Sequence, residues 1–177
     1  MHELDSFFFP KTVAVIGASG QKESVGRTVF ENFLSGKLKN KVFPVNPNHE
    51  KVLGKKSYKS VKEIPWQIDL AVIVVPARFV PTVAHECVQK RVKSVIIISA
   101  GFSEIGEKKL TQDLTQVMKK SKHTRWLGPN CFGILENYSG LNTTFSASRK
   151  TNYPKKGHVS FISQSTKICD SCHKPPR

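Results

Sequence analysis

Gly17-Ala18-Ser19-Gly20, with Gly26 six residues on, joins an apolar β-branched run (12–16) to a segment carrying Val29, Phe30, Phe33 and Leu34 at helical spacing. A turn of this composition suits a phosphate. Glycines let the backbone approach a ligand closely. The start of the following helix offers unpaired N–H groups and the positive end of a dipole. Ser19 adds a hydroxyl donor. The glycine spacing is not G-x-G-x-x-G, so the regular dinucleotide fingerprint is absent. A plain tight turn between strand and helix would read the same way.

A second loop narrows the ligand. A site for NAD usually carries Asp or Glu at the end of its second strand, on the ribose hydroxyls. Here the chain reads Asn46-Pro47-Asn48-His49, and Glu50 comes late. His49 and Lys51 could instead face a phosphate. This favours a ligand richer in phosphate, NADP or coenzyme A, without separating the two.

The elements that must position these loops alternate in kind. Apolar runs at 12–16, 70–75 and 95–98, a short one in "KVFPVNP" that ends at Asn46-Pro47, and a shorter one before Gly128, read as strands. The segment carrying Val29, Phe30, Phe33 and Leu34, and the stretches 81–90 and 107–122, the last with Leu110, Leu114, Val117 and Met118 on one face, read as helices. Strands apolar on both faces and separated by helices indicate a doubly wound, mainly parallel α/β sheet of Rossmann type. Right-handed crossovers put all strand ends on one edge, where such sheets bind ligands. Five irregular stretches fall there: Gly17 to Gly20, Asn46-Pro47-Asn48, Val75-Pro76-Ala77, Ser99-Ala100-Gly101 and Gly128-Pro129-Asn130-Cys131.

The 177 residues carry 28 Lys and Arg against 13 Asp and Glu, a formal charge of +15, which favours an anionic partner. The lysines are scattered rather than striped, and Phe7, Phe8 and Phe9 cluster without alternating with basic residues, so a solvated basic face is preferred to nucleic-acid binding. The N-terminus is acidic and lacks a signal pattern, and no apolar run reaches membrane-spanning length; the expected location is cytoplasmic. Four cysteines, Cys87, Cys131, Cys169 and Cys172, are expected as free thiols. Cys169-x-x-Cys172-His173 has the form of a haem-attachment string or half a zinc site, but export signal and fourth ligand are missing, and no metal is expected.

Taken in order, "FFFPKTVAVIGAS", "VFPVNPNHEKVLGKKSYKSVKEIP", "DLAVIVVPA", "IIISAGFSEIG", "GPNCFGI" and "GHVSFISQS" closely resemble the CoA-binding domain of the nucleoside-diphosphate-forming acyl-CoA synthetases. That superfamily includes ADP-forming acetate–CoA ligase and the succinyl-CoA synthetase α subunit; similar domains occur in lysine acetyltransferases. The resemblance covers about residues 7 to 165. It implies that Ala18, Ser19 and Gly20 line the CoA phosphates and that Asn46 and Pro47 lie beside the adenosine. Val75, Pro76, Ala77, Ser99, Ala100 and Gly101 would flank the pantetheine arm, with Asn130 and Cys131 near its thiol. Relatives often have a lysine after the Asn-Pro pair; here Asn48 and His49 stand there, leaving Lys51 to supply the charge. Cys131 also fits as a small buried apolar residue.

The family reaction passes phosphate through a histidine on a second domain to a nucleotide held by an ATP-grasp domain. None of His2, His49, His85, His123, His158 and His173 sits in such a context, so no catalytic residue is expected and the missing ligase and ATP-grasp parts are the implied partners. The expected organisation is a CoA-binding domain at 1–148, a linker and the first strand of a second domain at 149–165 (strand 159–163), and a tail at 166–177 where the likeness stops. A truncated or frameshifted product is the simplest reading of that stop. The competing readings are an NAD(P)-binding Rossmann protein, a free-standing CoA-binding regulatory module, and part of an acetyltransferase.

Overall fold

The computed structural model describes residues 2–36, 41–145 and 156–165. In chain order the elements are α1 (Asp5–Phe8), β1 (Val13–Ile16), α2 (Val25–Leu34), β2 (Val42–Val45), the hairpin β3 (Lys51–Val52) and β4 (Lys55–Lys56), β5 (Leu70–Ile73), α3 (Val80–Gln89), β6 (Ser94–Ile97), α4 (Lys108–Lys120), β7 (Arg125–Leu127), and the hairpin β8 (Leu135–Glu136) and β9 (Leu141–Asn142). Short 3-10 turns precede β5, α3 and α4.

Five strands form one parallel sheet in the order β2-β1-β5-β6-β7, as expected of a doubly wound fold. The order reverses between β1 and β5, the place where such sheets open a crevice. Alternate side chains enter two cores. Ala14, Ile16, Ala71, Ile73, Val95 and Ile97 pack with Val80, Ala84 and Cys87 of α3 and Leu114 of α4. Val13, Val15, Leu70, Val72 and Ile96 pack on the other side with Val29, Phe30 and Phe33 of α2. The continuous apolar runs follow from this: both faces of every inner strand are covered.

The two short hairpins and α1 were not visible as periodic patterns, being too short to show one. At 156–165 the chain forms no strand, and Val159 and Ile162 are 93% and 97% exposed. The strand expected at 159–163 has no pairing partner among the described residues. The boundary at 148/149, the linker up to residue 155 and the tail with Cys169, Cys172 and His173 lie outside the described residues.

The amino ends of three strands are tied by one carboxylate. Asp69 accepts hydrogen bonds from the Lys11 N–H (2.8 Å) and the Thr12 N–H (3.3 Å) and pairs with the Lys93 ammonium at 2.7 Å. Burial alone would raise its pKa. The Lys93 and backbone N–H bonds outweigh burial and hold the carboxyl below its ordinary value. A lowered folded-state pKa stabilises the protein at neutral pH, and this stabilisation is lost as pH falls from the usual carboxylate range through the folded value. Asp69→Asn is therefore expected to lower the unfolding free energy at pH 7 by about 2–4 kcal/mol, with the gap narrowing below about pH 4. Urea titrations at both pH values measure this; a gap independent of pH would remove the charge from the account.

Candidate functional site

The first strand ends in a turn that only glycine can make. Gly17 has φ +94°, and a Cβ there would fall 2.9 Å from the Val74 carbonyl carbon and 3.0 Å from Val75 Cγ1. At Gly26 an added Cβ would lie 2.0 Å from the Gly17 oxygen, so the first turn of α2 is pressed directly onto the loop. Gly20 differs: nothing lies within 4 Å of where its Cβ would be. The loop is thus crowded at its base and open at its tip.

Local hydrogen bonds set the tip. Ser24 caps α2, its hydroxyl accepting from the Arg27 N–H at 3.2 Å and donating to the Gln21 carbonyl at 2.9 Å. The Ser19 hydroxyl oxygen accepts from the Gln21 N–H at 3.0 Å. Arg27 Nη1 donates to the Gly20 carbonyl at 2.7 Å while its Nε pairs with Glu31 at 2.7 Å. No protein acceptor among the described residues takes the N–H of Ser19 or Gly20. The Gly20 and Gln21 carbonyls are turned toward the helix, and the Ser19 and Gly20 amide hydrogens are among those left unclaimed in this turn.

The other loops are joined to this one in the order of the strands. Asn46 Nδ2 donates to the Ala18 carbonyl at 2.9 Å, and Asn46 Oδ1 accepts from the Asn48 N–H at 2.9 Å. Val75 packs against Gly17. Ala77 approaches Gly101, whose N–H donates to the Glu104 carboxylate. That bond is the main reason the Glu104 carboxyl lies below its ordinary pKa. The Ser99 hydroxyl donates to the Val75 carbonyl at 2.6 Å, and the Ser99 carbonyl accepts from the Asn130 N–H at 3.0 Å.

All thirteen residues singled out from the sequence therefore meet at the carboxyl edge, in two kinds of position. Gly20, Pro47, Pro76, Ala100 and Asn130 are exposed, and Ser19, Val75, Ala77 and Gly101 are half-buried. Ala18 and Ser99 are buried, and the Asn46 amide and the Ser99 hydroxyl are occupied in binding loop to loop. Cys131 turns inward: its thiol donates to the Ile97 carbonyl at 3.3 Å, and burial pushes its pKa up to about 11. It is a protonated thiol at neutral pH. His2, His49, His85, His123 and His158 are all exposed.

Two features of the site escaped the sequence. Arg27 and Glu31 show helical i,i+4 spacing, but the grip on Gly20 depends on how the loop folds back. The β3–β4 hairpin, immediately after the Asn46 loop, sets Lys51 directly opposite Lys56. Like charges so placed repel each other. Neither has an ion-pair partner among the described residues, and Lys56 lies 5.4 Å over the Tyr58 ring.

The family model described as the CoA binding domain matches residues 11–137. The chain belongs to the CoA-binding domain family. It is 48% identical over 164 residues to the alpha subunit of acetate–CoA ligase (ADP-forming) II of Pyrococcus furiosus, covering 92% of this chain and 34% of that protein. It is 41% identical over 170 residues to acetate–CoA ligase (ADP-forming) of Methanocaldococcus jannaschii, covering 96% and 23%. The structure of the dinucleotide-forming acetyl-coenzyme A synthetase 1 of Candidatus Korarchaeum cryptofilum, in complex with phosphate and ADP, superposes with a TM-score of 0.85 at 36% identity, covering 98% of this chain and 36% of that one. This CoA-binding domain is thus homologous to the ADP-forming acyl-CoA synthetases and spans about a third of their length or less.

The residues of the CoA-binding domain fit such a ligand. CoA carries a diphosphate and one further phosphate; the glycine loop offers unclaimed amides at an open tip, and the hairpin offers two lysines without an ion-pair partner among the described residues. No carboxylate directly follows β2, where the Asn46 amide holds the first loop. No helix among the described residues is long and apolar enough to cross a membrane, and no group of three or more metal-ligating side chains occurs among them.

The crowding at the loop's base separates two glycines that look alike in the sequence. Gly26→Ala must move α2 off the turn and is expected to cost about 3 kcal/mol or more. Gly20→Ala meets open space and should stay within about 1 kcal/mol of the parent. Thermal unfolding of both variants checks this; equal losses would show that the loop base is not the tight contact described.

Proposed function

We propose that the domain binds coenzyme A or acyl-CoA along the carboxyl edge of its sheet, as the CoA-binding part of an ADP-forming acyl-CoA synthetase. The observation that carries this reading is the open loop tip at Gly20, with the Ser19 and Gly20 amides unclaimed in the turn that leads into α2. These amides and the Ser19 hydroxyl hold the diphosphate. The Asn46-Pro47 turn lies against the adenosine, and Lys51 and Lys56 take its additional phosphate. That last contact relieves their mutual repulsion and distinguishes CoA from NAD. The loops at Val75-Pro76-Ala77 and Ser99-Ala100-Gly101 flank the pantetheine arm and lead its thiol toward Asn130. Cys131, bonded inward, shapes that end of the groove without reacting.

The chemistry of acyl transfer belongs to other parts. No histidine of this chain is proposed to carry phosphate, and residues 149–165 are read as the connection to a further domain. The lengths of the similar ligases support this reading.

Calorimetry on the 177-residue chain with CoA, dephospho-CoA, NADH and NADPH tests the proposal. CoA is expected to bind, and Gly20→Val or Ser19→Asp to weaken it at least tenfold without lowering the melting temperature. Lys51→Ala with Lys56→Ala should weaken CoA and leave dephospho-CoA unaffected. Tight NADPH binding with no response to CoA would replace this reading with the NAD(P) one. Recovery of acyl-CoA synthesis on adding separately expressed ligase and ATP-grasp parts supports the synthetase role; CoA binding without such recovery supports a free-standing module.

A further inference from the structure

We infer that Arg27 is a positioning residue for the diphosphate loop, and that it acts by holding the Gly20 carbonyl away from the ligand rather than by lending its charge. This rests on the proposed CoA reading of the same edge. On the side where a Gly20 Cβ would sit, nothing lies within 4 Å to pack against the tip of the loop. Hydrogen bonds must fix it instead. The Gly20–Gln21 peptide is held at both ends: its carbonyl accepts from Arg27 Nη1 at 2.7 Å, and its N–H donates to the Ser19 hydroxyl oxygen at 3.0 Å. The next carbonyl, of Gln21, accepts from Ser24 at 2.9 Å. Two successive carbonyls are thereby turned toward α2.

The sign of this orientation matters to an anion. A peptide carbonyl carries partial negative charge, so a Gly20 carbonyl rotated into the open tip would face the diphosphate and repel it. Glycine imposes little barrier to that rotation. Arg27 opposes it from a fixed place. Its backbone N–H is bound by the Ser24 cap, and its guanidinium is aligned by Glu31 at 2.7 Å. The same carboxylate neutralises the guanidinium, so the side chain adds little net charge to the site. Its effect is geometric.

Arg27→Met, Arg27→Lys and Glu31→Gln in the 177-residue chain test this. Arg27→Met is expected to weaken CoA about tenfold, and the loss should persist at high salt, where the charge of the unpaired Glu31 is screened. Arg27→Lys should restore most of the affinity by keeping one donor in reach of the carbonyl. Glu31→Gln should weaken CoA about two- to threefold by loosening the guanidinium. Without any ligand, Arg27→Met should also move the amide resonances of Gly20 and Gln21. Unchanged affinity in Arg27→Met, a loss in that variant that vanishes at high salt, tighter binding in Glu31→Gln, or unmoved resonances would each overturn the inference. Failure of the parent chain to bind CoA would instead remove the proposed function, and the ligand-free resonances would still judge the role of Arg27 in the loop.

Discussion

The approach of α2 to the end of β1 governs the rest of the structure. At Gly26 there is room for no side-chain atom, because the Gly17 oxygen lies 2.0 Å from where a Cβ would sit. This contact sets the first turn of α2 against the loop that carries Gly20. It also sets the depth at which Val29, Phe30 and Phe33 enter the core beneath. Helix packing and the ligand loop are therefore one geometric problem, solved by two hydrogen atoms in place of side chains.

The carboxyl edge is built outward from that contact. Asn46 ties the second loop to the first, Val75 covers Gly17, and Ser99 binds the third loop to the fourth and, through its carbonyl, to the fifth. Side chains that look like ligand contacts are in part the fasteners of the edge. Substituting Asn46 or Ser99 would alter binding through the loops they hold, whatever direct contact they also make. At the opposite edge Asp69 performs the matching task for the strand starts. The sheet is thus pinned at one end by a buried charge and at the other by neutral hydrogen bonds.

Much of this was legible in the residues. Both faces of each inner strand are covered, so the β-branched runs 12–16, 70–75 and 95–98 could be read as parallel strands, and parallel strands place the five loops together. The strand ends came out one or two residues long, because Val74, Val75 and Ile98 remain apolar after pairing stops. The roles within the loops were less legible. Type and spacing do not tell Gly20, which faces open space, from Gly26, which faces a carbonyl. Nor do they show that Cys131 points inward or that Arg27 reaches back seven residues. The opposition of Lys51 and Lys56 depends on a hairpin of two-residue strands, below the length at which alternation can be seen. At 159–163 the residues read as a strand, yet a strand requires a neighbour, and among the described residues it has none.

The central claim is that unclaimed amides at the loop tip receive the diphosphate. Titrating the isotopically labelled chain with CoA while following its backbone amide resonances addresses this most directly. The account predicts the largest shifts at Ser19 and Gly20, with smaller ones at Lys51 and Lys56 and none around Asp69. Saturable binding that leaves Ser19 and Gly20 unmoved would contradict it.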